Sequence, residues 1–262
     1  MNSIVLSAKH VITRIDLNSD MGECAAPEGL AIEAELMPLI TSVNIACGGH
    51  AGTEDLMRRT AQRAAQCGVA IGAHPGFRDP EHFGRIEQTL SSPQIEELVA
   101  NQIHTLATVL GREQLTLTHV KPHGALYNMA GRDREIARAI VRAVQGVSRT
   151  FLVYALAGSE LDKASQAAGL AVVHEAFVDR AYRADGSLVP RSERGALLAT
   201  EADVRRQLHR LMTGSVMSIE GSPVQIHADS FCIHADTPHA VSLTRMIRQE
   251  IQSAGIRIAA PS

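Results

Sequence analysis

The chain has 262 residues, of which 45% are hydrophobic and 20% are charged, and its formal net charge is −3. This composition is typical of a globular protein with an ordinary apolar core. Only 3% of the residues are aromatic, none is tryptophan and no basic block occurs, which argues against nucleic-acid binding as the main function. We therefore expect a small molecule or another protein as the partner.

The sequence carries no signal for a membrane or for export. No apolar run approaches the ~20 residues of a membrane-spanning helix. Residues 1–12 have neither a long apolar core nor a small-residue cleavage site, so we expect no signal peptide. The four cysteines are widely spaced without a C-x-x-C pair, which is typical of reduced thiols in a cytoplasmic protein. We predict a cytoplasmic protein that does not bind membranes.

Strand and helix patterns alternate along the chain. Predicted strands cover residues 13–18, 42–46, 69–73, 115–123, 150–155, 171–177 and 231–234. Predicted helices cover residues 31–39, 54–66, 92–110, a segment from 126, then 133–144, 160–168, 200–212 and 237–255. This alternation predicts an α/β fold with parallel strands and crossover helices. About seven repeats favour a closed, TIM-like (β/α) barrel, with an open doubly wound sheet as the alternative.

Two connections are much longer than the roughly two to six residues usual in β/α units. Residues 75–91 and 179–199 are polar and carry Arg85 and Arg180. We predict that both fold over the barrel mouth and act as a lid, whereas plain surface loops are the alternative. No linker-like or low-complexity segment interrupts the chain, so we expect one domain over residues 1–262.

The most informative stretch lies at the end of the fourth predicted strand. His119, Lys121 and His123 alternate with other residues, so their side chains point to one face of the strand. Pro122 weakens strand pairing and Gly124 lets the chain turn. Because two imidazoles and an ammonium group are costly to bury in a core, the strand end is a candidate functional site.

Similar polar groups follow the other predicted strands. They are Asp16, Asn18, Asp20 and Glu23; Asn44 and His50; His74; His174, Glu175, Asp179 and Arg180; His227, Asp229, His234 and Asp236. In a parallel barrel the carboxyl ends of the strands meet at one mouth, where active sites are built. We predict that eight side chains converge there: Asp16, Asp20, His50, His74, Lys121, His123, Asp229 and Asp236.

Asp20, His50 and His74 have the chemistry of a divalent-metal site with open positions. Their spacing is not a compact motif, so the alternative is a set of hydrogen-bonded mouth residues without metal. The sequence contains neither a P-loop nor a G-x-G-x-x-G stretch after a strand. It therefore offers no nucleotide-binding signature of its own.

Eight segments are collectively specific. They are DLNSDMGE (16–23), NIACGGHAG (44–52), GAHPGF (72–77), FGR (83–85), VKPHGALYN (120–128), DRAY (179–182), LVPR (188–191) and HADTP (234–238). Together they resemble the LamB/YcsF family, whose members are also called the A subunit of 5-oxoprolinase, over nearly the whole chain. The resemblance implies a seven-stranded (β/α) barrel similar to glycoside hydrolases and deacetylases. It also implies ATP-dependent cleavage of 5-oxo-L-proline (pyroglutamate) to L-glutamate, together with subunits B and C.

This implied reaction suggests a role for each candidate residue. Asp20 or Glu23 would position or deprotonate water, and Lys121 would stabilise developing negative charge. His123 would be the general acid, with Asp236 orienting a neighbouring group. The expected substrate-binding residues are Asp16, Asn18, Asn44, Arg85, Asp179, Arg180 and Asp229. The ATP site would lie on the partner subunits, so we expect the isolated chain to be inactive and at most a homo-oligomer.

Two other functions agree with the same residues. One is a metal-dependent amidohydrolase or deacetylase that acts alone, for which tightly bound metal would be evidence. The other is a non-catalytic protein that holds the substrate for chemistry performed elsewhere in a complex. Activity that survives changes at Asp20 or Lys121 would favour this second alternative.

Overall fold

The computed structural model of the protein describes residues 12–198, 200–237 and 239–261. Its strands are β1 (Arg14–Met21), β2 (Ser42–Ala46), β3 (Ala70–His74), β4 (Leu117–Val120), β5 (Leu152–Leu156), β6 (Val172–Phe177), β7 (Ser215–Met217), β8 (Pro223–Gln225), β9 (Ser230–Cys232) and β10 (Arg257–Ile258). Seven of them, β1 to β6 and β9, are parallel neighbours in one sheet.

The sheet closes because β9 pairs with both β6 and β1. This closure confirms the predicted seven-stranded (β/α) barrel and excludes the open sheet. β10 adds beside the start of β1, and it was not foreseen because it is only two residues long. β7 and β8 form a separate antiparallel hairpin outside the barrel.

Helices follow the strands as crossover connections. In the described part of the chain they are α1 (Pro27–Leu36), α2 (Glu54–Cys67), α3 (Ser92–Arg112), α4 (Gly124–Arg132), α5 (Arg134–Val147), α6 (Glu160–Ala167), α7 (Glu201–Met212) and α8 (Ala240–Ser253). Within these described residues, no helix combines the length and apolar character needed to cross a bilayer. The predicted start of the last helix at residues 237–238 is displaced to Ala240, and residue 238 lies outside the described residues.

Local sequence signals explain where several helices begin and end. α1 begins at Pro27, earlier than predicted, and it gives way to a 3-10 turn around Pro38, which has no N–H for an α-helical bond. The Thr53 side chain accepts a hydrogen bond from the backbone N–H of Leu56 and caps α2. Gly68 ends α2 with a φ of 67°, a conformation that favours glycine.

The lower half of the barrel is filled by a polar layer around Asp16. One carboxylate oxygen of Asp16 accepts hydrogen bonds from the hydroxyls of Thr41 and Ser42, at 2.6 and 2.7 Å. The other accepts the hydroxyl of Tyr154 at 3.0 Å. Burial raises the pKa of Asp16, and these hydroxyl donors offset part of the rise. Asp16, Ser42 and Tyr154 are buried and Thr41 is half-buried, so this layer belongs to the lower barrel rather than to the mouth.

A second layer closes the barrel axis above Asp16. The His119 ring occupies the space beside Gly72, where an added Cβ would lie only 2.1 Å from the ring. The same ring packs against Tyr154 with centroids 4.5 Å apart. His119 and Tyr154 are both fully buried. The barrel is therefore packed solid beneath its mouth.

The two long loops lie at the mouth, as predicted. In the first loop the backbone oxygen of Phe83 is 2.8 Å from His123 Nε2, and the oxygen of Gly84 accepts a hydrogen bond from the backbone N–H of Ala125. In the second loop Arg191 lines the same cavity as Arg85 of the first. Their closing and opening as a lid stays a prediction.

Candidate active site

A cavity of about 920 Å³ opens where the barrel strands end. The segments after β1, β3, β4, β6 and β9 supply its polar walls, and the two long loops supply its rim. Its charged and titratable lining includes Asp20, Glu23, His74, Arg85, Lys121, His123, Arg180, Arg191, His234 and Asp236. A concave site with converging polar groups at the carboxyl ends of barrel strands is the usual position for an active site.

Three histidines and one glutamate form a compact cluster at this mouth, with candidate ligand atoms all within 4.8 Å of one another. His50 Nε2 is 3.0 Å from Glu23 Oε1. His123 Nδ1 is 2.9 Å from His74 Nε2 and 3.5 Å from Glu23 Oε1. We call Glu23, His50, His74 and His123 the histidine cluster.

The outer nitrogens of two cluster histidines fix their tautomers. His74 Nδ1 lies 2.7 Å from the backbone oxygen of Lys121, and His123 Nε2 lies 2.8 Å from that of Phe83. Since a carbonyl only accepts, both of these nitrogens carry hydrogens. In neutral rings, the facing nitrogens of His74 and His123 are then two lone pairs 2.9 Å apart. A cation or a shared proton between them would remove this repulsion.

Burial keeps His50 and His123 uncharged. It lowers the pKa of His50 to about 4, and burial together with the other two histidines lowers the pKa of His123 well below its ordinary value. Burial raises the pKa of Glu23 to about 7. His50 Nδ1 is buried and has no hydrogen-bond partner among the described residues. Neutral imidazoles and one carboxylate are suitable ligands for a divalent ion such as Zn²⁺, so the residues fit one.

This arrangement changes the predicted metal set. His50 and His74 are brought together as expected, but Glu23 and His123 complete the group. Asp20 is close, with its Oδ2 3.3 Å from His74 Nε2, yet it also belongs to a separate group of charged side chains around Lys121. Glu23 was expected to activate water and His123 to be the general acid, so neither was predicted as a metal ligand. Nothing in their spacing along the chain shows that the two side chains meet.

Lys121, Asp20 and Glu175 form a group of charged side chains beside the histidine cluster, with Lys121 at its centre. Only 2% of its side chain is exposed, and its Nζ lies 2.7 Å from Glu175 Oε1 and 3.0 Å from Asp20 Oδ1. Nζ also donates to Asn18 Oδ1 and Cys232 Sγ, both at 3.1 Å. Burial alone would lower the pKa of Lys121, but Asp20 and the other anionic neighbours raise it well above its usual value. Lys121 is therefore a fixed positive charge.

Glu175 is the functional candidate to which sequence reasoning gave no role. It is fully buried in β6, and its Oε2 accepts the hydroxyl of Tyr127 at 2.7 Å. Its Oε1 accepts the side-chain amide of Asn18 at 2.9 Å while facing Lys121. A glutamate that follows His174 in a strand of otherwise apolar residues was the available signal, because a buried carboxylate needs a counterion.

Asn18 and Asn44 lie directly below the charged group. Asn44 Nδ2 donates to Asn18 Oδ1 and to Asp20 Oδ1, each at 2.8 Å. His119 Nε2 lies 3.0 Å from Asn44 Oδ1, so the histidine of the central stretch contacts the amide layer rather than the cavity. These amides hold Asp20 and Lys121 in place.

Two residues are not where they were expected. Asp16 lies four positions before Asp20 on β1, roughly 13 Å deeper in the barrel at the usual rise per residue. Asp229 precedes β9 and binds His174 near the start of β6, with its Oδ2 2.6 Å from Nδ1. The expected mouth position is wrong for both. Asp16 lies near the start of β1, which continues to Met21, and Asp229 was misplaced because β7 and β8 are not barrel strands and β9 begins only at Ser230.

Asp236 joins the two long loops across the rim. Its Oδ2 accepts a hydrogen bond from Arg85 at 2.7 Å and from Arg191 at 3.0 Å. Asp236 was expected to orient a group beside His123, whereas here it holds one arginine from each loop. Its side chain is 48% exposed, so both ion pairs face solvent.

Asp179 and His234 form the remaining wall. Asp179 Oδ2 lies 2.9 Å from His234 Nδ1 and accepts the hydroxyl of Thr237 at 2.7 Å. Burial would raise the pKa of Asp179, but His234 and the hydrogen bonds bring it well below its ordinary value. Asp179 is thus an ionised carboxylate that is already hydrogen-bonded and orients His234.

The chain also matches a known protein family. The model of the LamB/YcsF family matches residues 15–262. The chain belongs to the LamB/YcsF family. Every segment that forms the site lies inside the matched region, so the resemblance expected from the sequence motifs is confirmed.

Relatives of this LamB/YcsF chain are similar over almost their full length. A protein of Geobacillus thermodenitrificans (strain NG80-2), named as the A subunit of 5-oxoprolinase, is 47% identical over 94% of this chain and 96% of its own. One of the same name from Heliobacterium modesticaldum is 44% identical over 94% and 98%. The crystal structure of a lactam utilization protein from Thermus thermophilus is 39% identical, with a TM-score of 0.86 over 95% and 100%.

Proposed function

We propose that this chain is the A subunit of an ATP-dependent 5-oxoprolinase, which cleaves 5-oxo-L-proline to L-glutamate together with subunits B and C. The observation that carries this proposal is the similarity, over more than nine-tenths of both chains, to proteins named as that component of 5-oxoprolinase. The buried charges and the histidine cluster at one cavity supply groups for amide hydrolysis. The proposal treats residues 1–262 as one domain.

The chemistry of the substrate explains why ATP is needed. A lactam carbonyl is a weak electrophile, and transfer of the γ-phosphoryl group to its oxygen gives a reactive phosphorylated imidate. Water then adds to the same carbon, and the ring C–N bond breaks with protonation of nitrogen to leave an acyl phosphate. A second water hydrolyses this acyl phosphate to glutamate and free phosphate. The net reaction consumes 5-oxoproline, ATP and two waters and gives glutamate, ADP and phosphate.

The residues of the mouth suit the hydrolytic half of this sequence. Glu23, with a pKa raised by burial to about 7, is suited to accept the proton of the attacking water. Lys121 is a fixed cation for the negative charge that develops on oxygen or phosphate. His123 carries its hydrogen on Nε2 toward Phe83, so its Nδ1 is the atom free to exchange a proton inside the cluster.

A metal would act at the same place. In place of these proton transfers, Glu23, His50, His74 and His123 would hold a divalent ion, whose contribution there would be Lewis-acid activation of an oxygen ligand. Asp20, which is ionised because His74 and Lys121 outweigh the effect of burial on its pKa, would orient that oxygen.

Partner subunits would supply the phosphoryl group. The sequence has no nucleotide-binding signature, so ATP must bind elsewhere in the complex. Because the activated imidate hydrolyses quickly in water, it must be formed at this mouth or passed directly into it. We infer that subunits B and C dock beside the rim formed by the two long loops.

The test is release of glutamate from 5-oxoproline with ATP, by the isolated chain and after addition of subunits B and C. We expect turnover only in the complete complex. ATP-dependent turnover by the isolated chain would contradict the role of the partners. Full activity of a complex that carries Asp20→Asn would instead support a non-catalytic, substrate-holding role for this chain.

One observation favours a second candidate, a metal-dependent amidohydrolase or deacetylase that acts alone. The histidine cluster fits a divalent ion without help from another chain. This candidate predicts tightly bound metal and hydrolysis of an amide by the isolated chain without ATP. If a chelator inhibited this ATP-independent hydrolysis, the second function would replace the first proposal.

A further inference from the structure

Arg180 is an unusual charge within the second long loop. Only 4% of the residue is exposed, and it lines the cavity. Its Nη2 donates to the backbone oxygen of Val189 at 2.7 Å. Its Nε is buried and has no hydrogen-bond partner among the described residues. A guanidinium with five N–H donors is therefore held largely by one carbonyl.

The other arginines of the rim are paired with carboxylates. Arg85 and Arg191 both bind Asp236, and Arg183 binds both oxygens of Glu193. No carboxylate of a described residue lies within the 4.0 Å ion-pair distance of Arg180. The adjacent Asp179 is already bound by His234 and Thr237.

Arg180 nevertheless stays charged at neutral pH. Burial and the neighbouring Arg191 lower its pKa, but only to about 10. The charge of Asp179 opposes this lowering without forming an ion pair with Arg180. A buried cation without a directly bonded anion is unfavourable in a folded protein. Such a charge persists where a ligand completes it, and the cavity beside Arg180 is where that ligand can enter.

We propose that Arg180 binds the carboxylate of the amide substrate, so that the unpaired guanidinium and the cavity wall form a carboxylate subsite. This assignment rests on the proposed function, because 5-oxoproline carries one carboxylate beside its lactam. A planar guanidinium matches a planar carboxylate with two parallel hydrogen bonds. The lactam end would then face Lys121 and the histidine cluster, which line the same cavity.

The subsite separates binding from chemistry. Arg180 touches the end of the substrate that does not react, so its role is to position the lactam. The neutral lactam amide, 5-oxoprolinamide, has the same ring without the charge. It is the probe that isolates the contribution of the carboxylate.

The experiment is calorimetric titration of the full chain with 5-oxo-L-proline and with 5-oxoprolinamide, for wild type and Arg180→Gln. We expect the variant to bind the acid about tenfold to a hundredfold more weakly, the effect of losing hydrogen bonds to a charged group. Binding of the neutral amide should be unchanged. Arg183→Gln is the matched control, since Arg183 lines the same cavity but is paired with Glu193.

Other outcomes separate this proposal from the proposed function. If wild type binds the acid and Arg180→Gln binds it equally well, the subsite is wrong while the function stands. If wild type binds neither probe, the proposed substrate is wrong and the subsite with it. A variant that loses affinity for inorganic phosphate but not for the acid would assign Arg180 to the phosphoryl group and overturn the carboxylate assignment. Arg180→Lys, which keeps the charge without the planar fork, should bind the acid with intermediate affinity if Arg180→Gln does not fold.

Discussion

The rings of His50 and His123 stack in parallel, with centroids 3.5 Å apart and planes inclined by 7°. Two protonated imidazoles could not stay in this contact, and burial lowers the pKa of both rings. The pair is therefore neutral, and each neutral ring keeps one unprotonated nitrogen that can bind a cation. This relationship makes the histidine cluster a ligand set rather than a set of surface charges.

We predict that the protein, purified without chelator, contains about one divalent ion per chain. His50→Ala should weaken metal affinity by at least about tenfold, the scale of disturbing even an outer contact of a metal site. Elemental analysis and competition with a chromogenic chelator measure this. His104→Ala is the control, because that ring is exposed on α3. Equal metal content in all three proteins, or none in wild type, would contradict the prediction.

Loss of the Lys121 charge should destabilise the fold. Lys121→Met leaves Asp20 and Glu175 buried without their shared cation, and breaking such a buried pair costs about 3–5 kcal/mol. Urea denaturation measures the free energy of unfolding. Lys121→Met/Glu175→Gln should recover part of the loss, since one unpaired carboxylate is removed. A single variant as stable as wild type would show that Lys121 is not a required counterion.

Turnover of the complex should respond differently from stability. Both the single and the double variant at Lys121 should lose at least ~100-fold in turnover, as when one oxyanion donor is removed. Assays belong at a temperature where the variants are fully folded. Lys163→Met is the control, because Lys163 lines the cavity but is paired with Glu160 at the surface. Near-normal turnover of the folded double variant would restrict Lys121 to a structural role.

Glu33 should make stability depend on pH. It lies on α1, accepts the backbone N–H of Gly22 at 2.9 Å, and burial raises its pKa to about 7. Because this folded-state pKa is above the unfolded value, stability should fall as pH rises from about 4.5 to 7 and then level off. The expected size is about 3 kcal/mol, since one pKa unit corresponds to about 1.4 kcal/mol. In Glu33→Gln, this part of the pH dependence should be absent in urea melts, and an unchanged slope would refute the assignment.

Asp236 should control the mobility of both long loops. Asp236→Asn removes one ion pair from each loop, while global stability should change by no more than about 1 kcal/mol because these pairs are exposed. We expect faster amide hydrogen exchange in residues 75–91 and 179–198 together, and slower turnover of the complex. Glu193→Gln, which releases Arg183 within the second loop alone, is the matched control. Identical exchange in wild type and Asp236→Asn would argue against a lid.

The fold was largely readable from the sequence. The periodicity of α2 and the glycine after it set clear boundaries, and the count of repeats favoured a closed barrel, which β9 completes by pairing with β1. The late part of the chain was harder. Short strands of three residues carry too little periodicity to separate the β7–β8 hairpin from a barrel strand, and Asp229 was misplaced for that reason.

The site was readable as a set of residues but not as a set of contacts. The position of a residue after a strand predicted that Asp20, His74, Lys121 and His123 would meet, and they do. Which carboxylate neutralises Lys121 depends on strand order and register around the closed barrel. Those are long-range properties, so the partnership with Glu175 across β6 could not be inferred from local patterns.

The packed layers of His119, Tyr154 and Asp16 beneath the cavity also affect how substrate enters and how products leave. Because the cavity is closed at its base, ligands enter and leave through the mouth, and a molecule bound at the mouth must dissociate before one bound deeper can leave. In the proposed complex, subunits B and C would dock at that mouth and block the release of glutamate and phosphate. The turnover rate would then depend on how often the partner subunits move away from the mouth, and tighter assembly would slow turnover.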